Sequence, residues 1–291
     1  MIGVSKQYRV FQVVNVLVML LVVVVTLYPF LYLVAESLSS EKFVYAGQVT
    51  LLPKGFTLRT YQVLTREIYF WLGYKNTIIY TIIGTFVSLF LSTILAYPLS
   101  KKRLKGRGII LGFIVFTMFF SGGLIPTYLL VNALGMRNTI WAVVLPGAIS
   151  TYNVIIMKTF FEGIPAELEE AAAVDGMDTY GILIHIVLPL SMPIMATMAL
   201  FYAVGMWNSW FGPFIYLDKK ELFPVSLYLR NVIAGAQQTA VSSGSDVNDI
   251  TQIAATVKAA SMVLTALPIL CVYPFLQKYF VKGVMIGSLK G

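Results

Sequence analysis

Charge is scarce in this sequence. Of its 291 residues only 12% are Asp, Glu, Lys or Arg, while 58% are hydrophobic. An ordinary soluble domain carries about 25% charged residues, so a soluble fold has too little polar surface here to keep its apolar surface from water. The bilayer is the natural solvent. Histidine and cysteine are scarcer still, one of each, His185 and Cys271. A single cysteine excludes an internal disulfide, and Cys271 sits in an apolar run, where it reads as a small packing residue. A single histidine leaves no zinc ligand set, so no metal residues are expected, and His185 reads as a solvated or hydrogen-bonded helix residue. There is no Gly-Lys dipeptide, hence no P-loop, and no Gly-x-Ser-x-Gly elbow. No acid falls inside an apolar stretch, which argues against a proton-coupled carrier. No catalytic residue is expected, and the chain does not read as an enzyme.

What is abundant is uncharged length. About 20 apolar residues of helix cross the hydrocarbon core. There are 26 uncharged residues between Arg9 and Glu36, 25 between Lys75 and Lys101, and 29 between Arg107 and Arg137. Arg137 to Lys158 gives 20, Asp178 to Asp218 gives 39, and Lys258 to Lys278 gives 19. Proline is disfavoured inside a helix, so Pro189 and Pro193 divide the 39-residue window into a short helix and a membrane helix. The expected fold is an all-α membrane protein with six transmembrane helices, a single domain over 1–291, with spans at about 11–34, 76–99, 109–131, 139–161, 193–217 and 256–277. The first run is longer than the ~7–15 residues of a signal peptide and lacks an Ala-x-Ala site, so it is expected to stay as a span. Gly84, Ser88, Ser92 and Ala96 recur every four residues, which predicts close backbone packing.

The net charge of +8 does not point to nucleic acid, because its sharpest cluster lies between two apolar stretches. Lys101, Lys102, Arg103, Lys105 and Arg107 have no acid among them. Basic loops stay cytoplasmic, and six spans then put both termini inside. Lys6, Arg9, Lys278, Lys282 and Lys290 agree. The segment 162–178 should be cytoplasmic too, yet holds six acids and no base, which needs its own reason. The stretches 35–75 and 218–255 fall outside and are candidates for contact with an extracytoplasmic partner.

That acidic segment is the most informative. Pro165 suits the first turn of a helix, and Glu167, Glu169 and Glu170 follow where the helix dipole favours negative charge. Ala171, Ala172 and Ala173 are strong helix formers. Gly176 falls where a left-handed cap would sit, Asp178 can cap a second helix, and Pro189 should end it. The spacing predicts a helix, a glycine turn and a second helix. Leu168, Ala171, Ala172 and Asp175 share one side of the first, a small-residue face among acids, suited to a basic groove.

This hairpin resembles the EAA loop of type I ABC importer permeases. That pattern is Glu-Ala-Ala, three residues, Gly, nine residues, Ile, one residue, Leu-Pro. Glu170, Ala171, Ala172, Gly176, Ile186, Leu188 and Pro189 meet it, and Asp175 and Pro193 agree with the sugar-importer version. The tail Gln277-Lys278-Tyr279-Phe280-Val281-Lys282-Gly283, with Lys290-Gly291, resembles MalG-like maltose permeases. The polar stretch holding Leu227, Leu229 and Arg230 resembles the LplC/YtcP type of oligosaccharide permease. The resemblance runs from about residue 70 onward. It implies a MetI-like permease fold in a bacterial inner membrane, with a cytoplasmic coupling hairpin over 162–192. It also implies a second homologous permease, an extracytoplasmic sugar-binding protein, and two ATPase subunits that hold ATP and magnesium, this chain holding no cofactor. Glu170, Ala171, Ala172, Asp175, Gly176, Ile186, Leu188 and Pro189 would carry ATPase coupling.

For the solute path, sugars are held by aromatic faces and amides. Trp207 and Asn208 match a Trp-Asn pair of many sugar permeases, and an aromatic belt at the membrane interface explains them equally well. The belt is the better reading of Trp210 and Tyr216. Tyr128, Asn132 and Tyr152 are further candidates, and Asn76 reads as a helix cap. The expectation is inward translocation of a di- or oligosaccharide. The alternatives are an ABC importer permease for another solute or a stand-alone secondary transporter.

Overall fold

The computed structural model describes residues 6–242 and 255–272, and every regular element among them is helical. These residues divide into two compact units, one drawn from Met1–Glu67 and Leu229–Pro268, the other from Ile68–Tyr228 and Ile269–Gly291. Among the described residues three helices are long and apolar enough to cross a bilayer alone, and three bent helix pairs bring the number of candidate spans to as many as six.

In the first unit, α1 (Lys6–Ser37) is apolar on all sides and exposed along its membrane-length part. A helix of that kind belongs in lipid or against another protein. Beyond it, α2 (Glu41–Tyr45) and α3 (Arg59–Arg66) fold into a tied loop. The Ser39 hydroxyl donates to the Ala35 carbonyl (2.6 Å) and accepts from the Lys54 amide (3.0 Å). Ser37 and Tyr61 share a hydrogen bond of 2.7 Å. The loop needs glycine at Gly55, with φ +63°, because a Cβ there would lie 2.8 Å from the Phe43 ring. The last described helix, α15 (Ala255–Val272), buries Thr256, Ala259, Ala260 and Ser261. The basic and aromatic tail from Gln277 to Gly291 lies outside the described residues.

In the second unit, α4 (Ile68–Ser100) is the central post, with α8 (Thr151–Glu162) and α12 (Met192–Trp207) packed against it. The small-residue stripe does the packing: Ser88, Ser92 and Ala96 are fully buried, and a Cβ on Gly84 would come within 2.8 Å of Met206. Lys75 does not stop α4, which starts at Ile68 and so runs into the stretch read as external loop. Charge marks where a chain leaves the hydrocarbon, and a helix can continue past that point. Likewise α14 (Val225–Ser242) occupies much of 218–255.

The other spans are broken. Helix α5 (Arg107–Phe119) bends by 112° into α6 (Leu124–Ala133). Helix α7 (Ile140–Val144) and a 3-10 turn bend by 57° into α8. Bare backbone at such breaks is tolerated in a membrane only where protein or water satisfies it. At the α7–α8 break the Tyr202 hydroxyl, from α12, does so. It lies 2.6 Å from Ser92 on α4 and accepts from the Ser150 amide at 3.3 Å.

Candidate functional site

The hairpin forms by local rules. Helix α9 (Ala166–Val174) begins one residue after Pro165, which therefore sits at the cap and not inside the first turn. At its end the Met177 amide donates to the Ala172 carbonyl (3.0 Å) and the Gly176 amide to Ala173 (3.1 Å). This pair of bonds is the Schellman closure, and it places Gly176 at φ +87°. Asp178 then caps α10 (Thr179–Ile182), its Oδ1 accepting from the Gly181 amide at 2.8 Å.

The second helix does not end at Pro189. It passes through a π turn, Leu183–Val187, into α11 (Leu188–Leu190), and only at Ser191 turns by 83° into α12. Proline lacks an amide proton and clashes with the preceding turn. The wider π turn just before it accommodates both. His185 lies in that turn with Nδ1 3.0 Å from the Gly181 carbonyl, a hydrogen-bonded helix residue.

Two faces result. Ala172, Ile182 and Val187 are buried in a core with Tyr97, Leu99, Met157 and Phe161, and Ile186 packs against it. Leu188 is half-buried and Pro189 exposed. Glu170, Ala171, Asp175 and Gly176 lie on the exposed side, where Val174 is 88% and Tyr180 76% exposed. The expected grouping of Ala172 with Ala171 and Asp175 thus splits, because Ala172 turns inward.

The unbalanced acids find their reason here. Glu169 pairs with Lys101, and Glu162 pairs with Arg107 and, at 2.8 Å, with Lys158. The acidic segment and the basic 101–107 loop therefore lie on the same side of the membrane. The complementary charges of the two loops were the sequence signal for this contact. Lys101 also sits 4.6 Å above the Tyr97 ring.

The solute-path candidates gather less neatly. Span five breaks at Asn208–Trp210, between α12 and α13 (Phe211–Tyr216). Trp207 meets Tyr74 of α4, centroids 6.4 Å apart. Asn208 is exposed and donates to the Val204 carbonyl at 2.9 Å. Trp210 stands edge-on to Phe211. Tyr128 stacks on Tyr216 at 6.2 Å, with Asn132 exposed one turn further along α6, while Tyr152 is exposed on α8. These residues do not form a single cluster.

The sequence hid a clasp at this end. Asn76 donates to the carbonyls of Glu221 (2.7 Å) and Phe223 (3.2 Å), and Tyr80 to that of Leu222 (2.8 Å). The Val225 amide donates to Thr77 at 2.8 Å. Asn76 is thus a long-range tether and no cap. Nearby, Asn138, at φ +58°, exchanges hydrogen bonds with Asp218 (2.9 and 2.7 Å), and Arg137 adds a bond of 2.9 Å to that carboxylate. These bonds, Asn138 first, hold the Asp218 carboxyl below its usual pKa range.

Straight and broken apolar helices, as many as six of them candidate spans among the described residues, define a membrane permease. The chain belongs to the family of inner membrane components of binding-protein-dependent transport systems, whose pattern matches residues 88–286. It is a transport component with the MetI-like fold. It is 43% identical to Protein LplC of Bacillus subtilis over 99% of this chain and 97% of that one. It is 40% identical to the polygalacturonan/rhamnogalacturonan transport system permease protein YtcP of the same organism, over 94% and 96%. Among solved structures it is similar to a bacterial ABC transporter involved in the import of the acidic polysaccharide alginate. That match has 33% identity and a TM-score of 0.82, and covers 96% of this chain and all of that one.

Proposed function

We propose that this chain is one of two permeases in an ATP-driven importer that carries an oligosaccharide inward, and that its hairpin receives the stroke of a partner ATPase. The observation that carries the reading is the hairpin's division of labour. Ala172, Ile182 and Val187 fasten it to the core around α4 and α8, while Glu170, Ala171, Asp175 and the glycine turn are offered outward. A push on the outer face must reach the membrane helices through that anchored inner face.

On this reading the hairpin and the 101–107 loop are cytoplasmic, and both termini are inside. ATP and magnesium are held by the ATPase pair. An extracytoplasmic binding protein meets the loops at the other end of α4, and Trp207, Asn208, Trp210, Tyr128 and Tyr152 border the solute path. The relatives' names favour a saccharide, one naming polygalacturonan and rhamnogalacturonan and the other the acidic polysaccharide alginate. The test is to purify the tagged chain from its native membrane, identify the co-purifying ATPase and second permease, and reconstitute them. ATP hydrolysis should rise with oligosaccharides plus the binding protein. Recovery of the chain alone, or hydrolysis that ignores every sugar, would overturn the reading.

A further inference from the structure

The buried stripe of α4 has an opposite face. Phe86 and Phe90 stack in parallel, centroids 6.3 Å apart, and are 69% and 55% exposed. With Ile94 they form one wall of a groove of about 830 Å³, and Tyr180, Ile184 and Leu188 of the hairpin's second helix form the other. Tyr97 closes the groove at the end nearest the 101–107 loop.

That end meets the basic 101–107 loop, part of which the acidic segment neutralises. Lys101 and Arg107 are taken by Glu169 and Glu162. Lys102, Arg103 and Lys105 are exposed, and no ion pair among the described residues involves them. Lys101, 4.6 Å above the Tyr97 ring, fixes the start of that loop at this end of the groove. An apolar trough inside the membrane that ends in unpaired cations matches a molecule with an apolar chain and a negative head.

We propose that this groove is a binding site for an anionic phospholipid of the inner leaflet. One acyl chain lies along Phe86, Phe90 and Ile94, and the phosphate meets Lys102 and Arg103. This rests on the reading that the basic loop is cytoplasmic, where anionic lipids give the leaflet its negative surface potential. One wall of the groove is the coupling hairpin itself, so the lipid would brace the hairpin against α4, a role beyond the transport function argued above.

The full chain in nanodiscs of phosphatidylcholine with a minor share of phosphatidylglycerol provides the test, with lipids retained on release counted by native mass spectrometry. The wild type should retain phosphatidylglycerol well above its bulk share. Each surface Lys or Arg is worth roughly fivefold in anionic-lipid binding, so Lys102→Ala with Arg103→Ala should abolish most of that preference. Ile94→Trp, which fills the trough and leaves the charges, should lower retention of both lipids. Unchanged melting temperatures would show that both variants fold. Retention in bulk proportion by the wild type, or undiminished preference in the charge variant, would overturn the proposal. So would a Phe90→Cys chain in the assembled complex that cross-links to another subunit instead of a photoreactive acyl chain. An unbound groove with intact co-purification of the ATPase would leave the transport reading standing, so the two fail separately.

Discussion

The two ends of α4 are built in opposite ways. At the Lys101 end sits the hairpin, whose form is set by neighbours in sequence: a Schellman turn at Gly176, a cap from Asp178, a π turn ahead of Pro189. At the Asn76 end, about 37 Å away at the helical rise of 1.5 Å per residue, almost every defining contact joins residues far apart in sequence. Tyr74 meets Trp207, and Asn76 meets Glu221 and Phe223. The hairpin is specified locally and the Asn76 end globally. A turn with its own internal closure can be displaced as one piece, whereas an end held by separate tethers can open one tether at a time.

The sharpest way to break this contrast is to strain the local end. Gly176 has open space where a Cβ would stand, so the only penalty for a side chain is its φ of +87°. Left-handed backbone costs an L-residue about 1–2 kcal/mol, and more for a β-branched one. Gly176→Val in the reconstituted complex should abolish sugar uptake while basal ATP hydrolysis persists. Gly176→Asn, which tolerates that conformation, should keep most of the uptake. Equal uptake by both variants would show that the turn does not transmit force.

The next largest effect separates the hairpin's faces. Ala172 is 5% exposed and belongs to the buried core that also holds Phe161, Ile182 and Val187. Ala172→Leu should overpack that core, at about 1–3 kcal/mol, and lower the thermal midpoint. Ala171→Leu, one residue away on the exposed face, should leave the midpoint alone and weaken recovery of the ATPase. If both lower the midpoint equally, the two-faced description fails.

How much of this the sequence disclosed follows the same divide. The glycine turn, the Asp178 cap and the stripe from Gly84 to Ala96 were legible because each is a rule about residues within a turn or two. The direction of Ala172 was not, since the spacing groups it with Ala171 and cannot say which side faces the core. The breaks in spans three to five were hidden because apolar length says nothing about helix continuity, and Tyr202 repairs the α7–α8 break from 52 positions away. The clasp on 221–225 was invisible for a stronger reason. The 221–225 stretch takes part only through backbone carbonyls and one backbone amide, so the side chains at those positions do not announce it.

That clasp gives a smaller, testable effect at the distant end. Asn76→Ala removes both donors to Glu221 and Phe223, each bond worth about 1 kcal/mol. Amide exchange should quicken across 219–225 and stay unchanged across 170–178. Faster exchange in the hairpin as well would mean that the two ends are less independent than their construction suggests.

The smallest effect belongs to the Asp218 junction, where Arg137 and Asp218 are solvent-exposed. Hydrogen bonds from Asn138 and then Arg137 lower the Asp218 pKa in the folded protein. The carboxylate form is thus preferred more strongly when folded than when unfolded. Its stabilisation is complete above the ordinary aspartate pKa of about 3.9 and fades as pH falls through the lowered folded value. At neutral pH, Asp218→Asn should loosen the 136–139 and 216–218 turns, seen as faster exchange of the Asn138 amide, which donates to Tyr216 at 3.1 Å. In the wild type the same loosening should appear only on acidification below pH about 4 and be absent at neutral pH. High salt should weaken the Arg137 part and spare the Asn138 part, since surface ion pairs are screened and neutral amide bonds are not. A junction that loosened on raising the pH instead would show that Asp218 is held by something other than these two donors.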